Sequence, residues 1–299
     1  MAVNTKTIKR RIKSVGNTRK ITKAMEMISA VKMRRAVANV LSTRGYSNFA
    51  WEMLTEIASK TDVSLHPLLA KRDIKKVGVI LITGNRGLAG GFSSRLLQSV
   101  NDFISSQKKA NCDVDILLTG KQGRKIRLKY GHNVTAEFEK MDLTSKVDEV
   151  LPMARLAIKE YTEGKYDLVV VAYTDFISAL KQVPRLKQIL PLENKADEML
   201  GQTTPQAAIS APLKLGYKFE PDPVAVLDLL LPRLVEMQIY QAILESDASE
   251  HSARMLAMRN ASDSAKEIIK ELNYSFNKAR QSAITQEISE IVGGASALE

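Results

Sequence analysis

Between Pro232 and Gly293 the chain holds no glycine and no proline, and one set of positions recurs at alternating spacings of four and three. Met237, Gln241, Leu244, Ala248, His251, Met255, Met258, Ser262, Ala265, Ile269, Leu272, Phe276, Ala279 and Ala283 fall on it, and eleven of these fourteen are apolar. A mean spacing of 3.5 residues puts them on one stripe of an α-helix and predicts a left-handed supercoil with a partner helix. Residues 234–292 would extend about 88 Å at 1.5 Å per residue. That exceeds an ordinary domain diameter, so a second helix has to run beside this one.

The partner is available at the other end. From Asn4 to Ser59 there is no proline, and only Gly16 and Gly45 interrupt good helix formers; each glycine costs about 1 kcal/mol relative to alanine. Ile8, Ile12 and Val15 recur at helical spacing, and after a break in phase so do Ile21, Met25, Ile28 and Val31. An antiparallel pairing that meets the middle of the chain near residues 59 and 224 makes paired residue numbers sum to about 280. Met25 then lies near Arg254 to Met258. The seam is poor in Leu and Ile, and it includes His251, read as a half-exposed seam residue; something else has to surround such a pair.

Charge is concentrated in the first helix. Residues 1–35 hold eleven Lys or Arg and one acid, Glu26, whereas the remainder holds 33 bases against 32 acids. A basic start can be a transit peptide, a nucleic-acid arm or a membrane-surface helix. The helical pattern runs straight through it, which argues against a cleaved leader, and it carries no aromatic residues to stack bases. No apolar run approaches the roughly 20 residues of a membrane span. Cys112 is the single cysteine and the three histidines are scattered, so no disulfide or zinc site is expected, and a reducing compartment is favoured.

Between the helices, strand-like runs at 77–83, 113–120, 133–139 and 166–174 alternate with helical segments at 93–109, 121–130 and 146–163. A further extended run, ISALKQVPRLKQILPL, follows, and 193–212 reads as a linker. Apolar strands alternating with helices predict a mostly parallel sheet covered on both faces. The glycine-rich stretch TGNRGLAGGFSS, residues 83–94, follows the first strand. Its spacing of Gly84, Gly87, Gly90 and Gly91 fits neither common phosphate-binding motif and no lysine follows it. A tight strand-to-helix turn is the reading preferred over a phosphate cradle. No catalytic constellation stands in a supporting context, so catalytic, cofactor and metal residues are all expected to be none.

Both ends and the middle resemble one family, the gamma subunit of the rotary ATP synthases. The stretches that carry the resemblance are IKRRIKSVGNTRKITKAMEMISAVKMRRA (8–36), TGNRGLAGGFSS, FEPDP (219–223), LLPRLVEMQIYQAILESDASEHSARMLAMRNASDSA (230–265) and NKARQSAITQEISEIVGGA (277–295). They cover almost the whole chain; RNASDSA stands where the family reads closer to KNATDNA. The resemblance implies an α/β fold: a long antiparallel two-helix coiled coil from both termini, plus an inserted Rossmann-like α/β domain. The implied organisation is an N-terminal coiled-coil helix at 1–60, an α/β foot at 74–192, a linker and foot segment at 193–223, and a C-terminal coiled-coil helix at 224–299.

It further implies a central rotor shaft that couples proton-driven rotation of a membrane ring to ATP synthesis or hydrolysis at beta subunits and catalyses nothing itself. The implied partners are the alpha and beta subunits around the coil, with the epsilon subunit and the ring of c subunits at the foot. No nucleic acid is implied, and the membrane only through the complex, on the cytoplasmic face of a bacterial plasma membrane. The charge map fits such a shaft, with Lys9, Arg10, Arg34, Arg35, Arg254 and Arg259 expected to face acidic loops in beta; by matching motif, Met25 lies beside a beta loop, Arg280, Gln281, Thr285 and Glu287 contact the ring, and Ile284, Ile288, Ile291 and Leu298 form an apolar tip. Tyr217, Phe219 and Glu220 match the foot. The alternative is a nucleotide-binding α/β protein with a coiled-coil arm.

Overall fold

The computed structural model describes residues 5–60, 66–192 and 222–296, and for 44–60, 223 and 294–296 the backbone alone. The chain divides into two units, one of residues 1–29 with 255–299, the other of residues 30–254. Two long helices, α1 (Thr5–Lys60) and α5 (Pro223–Ser296), contribute to each unit.

In the larger unit the expected alternation forms β1 (Lys76–Ile82), α2 (Phe92–Lys109), β2 (Asp113–Thr119), α3 (Lys125–Tyr130), β3 (Val134–Phe138), α4 (Leu151–Thr162), β4 (Leu168–Phe176) and β5 (Gln182–Leu190). The helical segment expected at 121–130 divides into a 3-10 turn at Lys121–Arg124 and α3. The five strands make one mixed sheet in the order β3-β2-β1-β4-β5. The first four are parallel and β5 runs antiparallel to β4. The reason is the length of the connection: only residues 177–181 separate β4 from β5, and a parallel crossover needs a dozen residues or more. Pro184, which cannot donate to a ladder, is tolerated because β5 is an edge.

The sheet is covered on both faces. Val79, Leu81, Ile116 and Leu118 pack with Leu96, Val100 and Ile104 of α2 and Ile126 of α3. Ile80, Ile82, Val169, Val171 and Tyr173 on the opposite face pack with Met153 and Ala157 of α4, with Leu231, Leu234, Val235 and Leu244 of α5, and with Ala36 and Val40 of α1. The α5 helix starts where Asp222 Oδ1 accepts the backbone N–H groups of Val224 at 2.9 Å and Ala225 at 3.0 Å. This is an aspartate N-cap followed by proline at the first helical position. Thr43 Oγ1 donates to Gln241 Oε1 and so ties α1 to α5 within this unit.

In the smaller unit, the stripe read from the C-terminal sequence is the least exposed face of α5: Met258, Ser262 and Ala265 are buried, and Ile269, Leu272, Phe276 and Ala279 half-buried. For α1 the expected stripe is only partly correct. Ile8 is buried and Ile12, Val15 and Met25 half-buried, but Ile21 and Ile28 are 61% and 57% exposed, while Thr22 and Ser29 are buried. The buried set keeps one phase through Ile8, Ile12, Val15, Thr22 and Ser29, so the break in phase after Val15 does not exist. Isoleucines that lie one position off the true stripe created it.

Candidate functional site: a filled sheet crevice and two exposed helix faces

The strand order reverses at β1, whose neighbours are β2 on one side and β4 on the other. In open sheets of this kind, ligands enter the crevice outside the strand C-termini at such a reversal. TGNRGLAGG lies there, immediately after β1. Its backbone is fixed to the neighbouring loops: Gln122 N donates to Gly84 O at 2.9 Å, and Asn85 Nδ2 donates to Lys140 O at 2.6 Å.

Between the loops after β1 and β4 the crevice is filled by α5, whereas on the β2 and β3 side a cavity stays open beside Asn85, Arg86, Gly120, Lys121 and Glu139. Glu250 lies against Gly84 so closely that a Cβ at residue 84 would stand 2.7 Å from its carboxyl group. Arg254 donates from Nη2 to Arg86 O at 3.3 Å and from Nε to Gly87 O at 3.4 Å. On the β4 side Ser252 Oγ donates to Ala179 O at 2.7 Å. A side chain at residue 84 would therefore displace the Glu250 carboxyl group from its place against the loop.

The polar groups around this contact satisfy one another. Lys140 Nζ lies 2.5 Å from Asp247 Oδ1 and 3.3 Å from Glu250 Oε2, and Arg254 Nη2 lies 2.6 Å from Glu250 Oε1. All four side chains are at most 8% exposed. Two cations and two anions balance. Asp247 Oδ2 also accepts the Thr144 backbone N–H at 2.8 Å. Burial acts against the charged form of Lys140, but the two carboxylates outweigh it and its pKa is raised. Burial likewise opposes the Glu250 charge, and Lys140 and Arg254 outweigh it, so its pKa is lowered.

His251 is buried, not half-exposed as the sequence suggested. Its Nε2 lies 3.0 Å from Asp142 O and its Nδ1 3.3 Å from Arg254 Nη1. A carbonyl can only accept and a guanidinium can only donate, so the neutral Nε2–H tautomer satisfies both contacts. Burial lowers the His251 pKa further than Glu250 and Asp247 raise it. Asp142, at the edge of the cluster, is hydrogen-bonded by Lys32, which holds its carboxyl below the usual range.

Of the residues singled out in the sequence, Lys9, Arg10, Arg34, Arg35, Arg259, Arg280, Gln281, Thr285 and Glu287 are exposed and Met25 is half-buried. Ile284, Ile288 and Ile291 are exposed as well. Arg254 is corrected: its guanidinium is enclosed by Glu250, His251 and the Arg86 and Gly87 carbonyls, so it is not part of an outward surface. Tyr217, Phe219, Glu220, Leu298 and the 193–212 linker lie outside the described residues. Sequence reasoning missed Lys140, Asp247 and Glu250, and a lysine 107 residues from its partner leaves no local signal. Among the described residues no group of three or more His, Cys, Asp or Glu is placed to hold a metal. No helix among them is long and apolar enough to cross a membrane.

The sequence model of the family described as ATP synthase matches residues 4–298. The ATP synthase gamma chain of Herpetosiphon aurantiacus is 45% identical, with 97% of each chain covered. The chain belongs to the ATP synthase gamma-chain family. The Heliobacterium modesticaldum gamma chain is 42% identical, over 97% of this chain and 98% of its own. A chain in the cryo-EM structure of Euglena gracilis mitochondrial ATP synthase shares the fold, with a TM-score of 0.65 at 17% identity over 98% of this chain and 94% of that one. One in the central stalk and c-ring structure from Tetrahymena thermophila gives 0.59 at 22% identity, over 81% and 99%. In this gamma-family chain, the glycine-rich motif is a seat for the protein's own helix.

Proposed function

We propose that the chain is the central rotor shaft of an ATP synthase, coupling proton-driven rotation to ATP synthesis or hydrolysis at beta subunits. The observation that carries this reading is a family match running unbroken from residue 4 to 298, through both helices and the sheet. In the smaller unit, α1 and α5 pair as an antiparallel coiled coil; the three-four recurrence of buried positions in both supports that pairing.

Lys9, Arg10, Met25, Arg34, Arg35, Arg259, Arg280, Gln281, Thr285 and Glu287 contact the surrounding alpha and beta subunits. Their availability on the helix surfaces supports the assignment. Screening over about 8 Å at physiological salt confines the basic residues to places where shaft and ring nearly touch. Tyr217, Phe219 and Glu220, with the sheet, meet the epsilon subunit and c-ring. The chain itself is non-catalytic, a reading supported by the mutual neutralisation of Lys140, Asp247, Glu250 and Arg254 beside the glycine-rich loop. It sits peripherally, held through the complex on the cytoplasmic face of a bacterial plasma membrane.

Co-expression with alpha and beta subunits tests the reading. A single copy is expected to purify with three alpha and three beta subunits; a chain that elutes alone overturns it.

A further inference from the structure

The larger unit joins its sheet to α5 in two chemically different ways. Along the sheet face, the contact is apolar, through Leu231, Leu234, Val235 and Leu244. Such contact resists separation but is non-directional. At the strand ends the contact is ionic and directional. There α5 is bonded to the loop after β1 through Arg254, to the loop after β3 through Asp247 and Glu250 on Lys140, and to the loop after β4 through Ser252. Three loops from three strands therefore hold one short stretch of helix, residues 247–254. Apolar side chains of similar volume would hold these elements together without desolvating charges; what the ions add is a fixed angle between sheet and helix.

Resting on the rotor reading, we propose that Lys140 is a positioning residue, and that its cluster with Asp247, Glu250 and Arg254 is a clamp setting the torsional stiffness between the sheet and α5. Lys140 is the member contributed by the sheet side, and it bridges both acids of α5. Its own carbonyl is held by Asn85 at 2.6 Å, which links the clamp to the loop after β1. Torque applied to the sheet then reaches the helix through directional ionic bonds as well as through the packed apolar face.

The test uses the head assembled from the full chain with alpha and beta subunits, immobilised through beta. A bead is tethered at Lys109→Cys, an exposed position; the native Cys112 is buried and does not compete for the label. The readout is the angular spread of the bead during nucleotide-bound pauses. Lys140→Met together with Asp247→Asn removes the Lys140 bridge while keeping charge balance, the Glu250–Arg254 pair and an acceptor for Thr144 N–H, so it is expected to be more stable than Lys140→Met alone. This double variant is expected to show a wider spread than wild type. Arg124→Ala, which breaks an exposed pair with Glu137 away from α5, is expected to leave it unchanged. An unchanged spread in the double variant overturns the clamp even if its denaturation midpoint falls, because a merely structural role predicts that result. A wild-type head that does not turn at all refutes the rotor reading instead.

Discussion

Lys140 Nζ lies 2.5 Å from Asp247 Oδ1, and the two side chains are 2% and 0% exposed. Removing one member of such a pair strands the other as an uncompensated buried charge, which costs about 3–5 kcal/mol. Lys140→Met is expected to lose that much stability in equilibrium denaturation of the purified chain. Adding Asp247→Asn is expected to recover part of it, because residues in one ionic network are not additive. Equal and additive losses would show that the two do not form a pair in solution.

Two glycines of one motif are expected to behave differently. An alanine Cβ at Gly84 meets the Glu250 carboxyl group at 2.7 Å, whereas at Gly87 nothing lies within 4 Å. Gly84→Ala is expected to cost about 1–3 kcal/mol through overpacking, and Gly87→Ala to stay within about 0.5 kcal/mol. Thermal melts of the two variants decide the matter. The reverse order would mean that the loop is shaped for a ligand rather than for Glu250.

Three titrations of the cluster contribute to the dependence of stability on pH. The His251 pKa is lowered from 6.5, so below about pH 6.5 the unfolded chain takes up a proton that the folded chain resists, and stability falls as pH falls. The groups facing His251 are Glu250, Asp247 and the Asp142 carbonyl, which oppose this shift, and Arg254, which adds to it. Glu250, lowered from 4.5, contributes stability that is present above that value and lost on further acidification. Lys140, raised from 10.5, contributes stability that is present below that value and lost at higher pH. Maximum stability is therefore expected between about pH 6.5 and 10.5. His251→Gln is expected to flatten the acid side between pH 6.5 and 5; an unchanged slope would assign that slope to His66 and His132, whose pKa values burial also lowers.

The outward isoleucines separate the needs of the chain from those of its neighbours. Ile28→Ser, at a position 57% exposed, is expected to change the stability of the isolated chain by no more than about 0.5 kcal/mol. Ala36→Leu, at a fully buried position, is expected to cost about 1–3 kcal/mol. For Met25→Lys, assembly is expected to survive while protons pumped per ATP decline, as read from vesicles carrying the whole complex. Undiminished pumping would remove Met25 from the contact with beta.

What could be read from the sequence divides along physical lines. The four parallel strands and the α5 stripe were legible because long, strictly periodic apolar patterns leave few alternatives. The α1 stripe was not: its buried positions include Thr22 and Ser29, and apolarity pointed to Ile21 and Ile28 instead. Small polar residues let helices approach closely, and a hydrophobicity pattern cannot register that. In the stretch ESDASEHSAR at 245–254 only Ala248 and His251 fall on the expected stripe, yet all ten residues are buried. Its counter-ion Lys140 and its covering loops are assembled only by the tertiary fold. Around residues 247–254 the loops after β1, β3 and β4 cover α5.

The rotor account is tested most directly by watching the wild-type head under ATP, with beta subunits fixed and a bead on the sheet unit. The account predicts one-directional rotation in thirds of a turn, matched to ATP consumption. A bead that only fluctuates about a fixed angle while ATP is hydrolysed would contradict it.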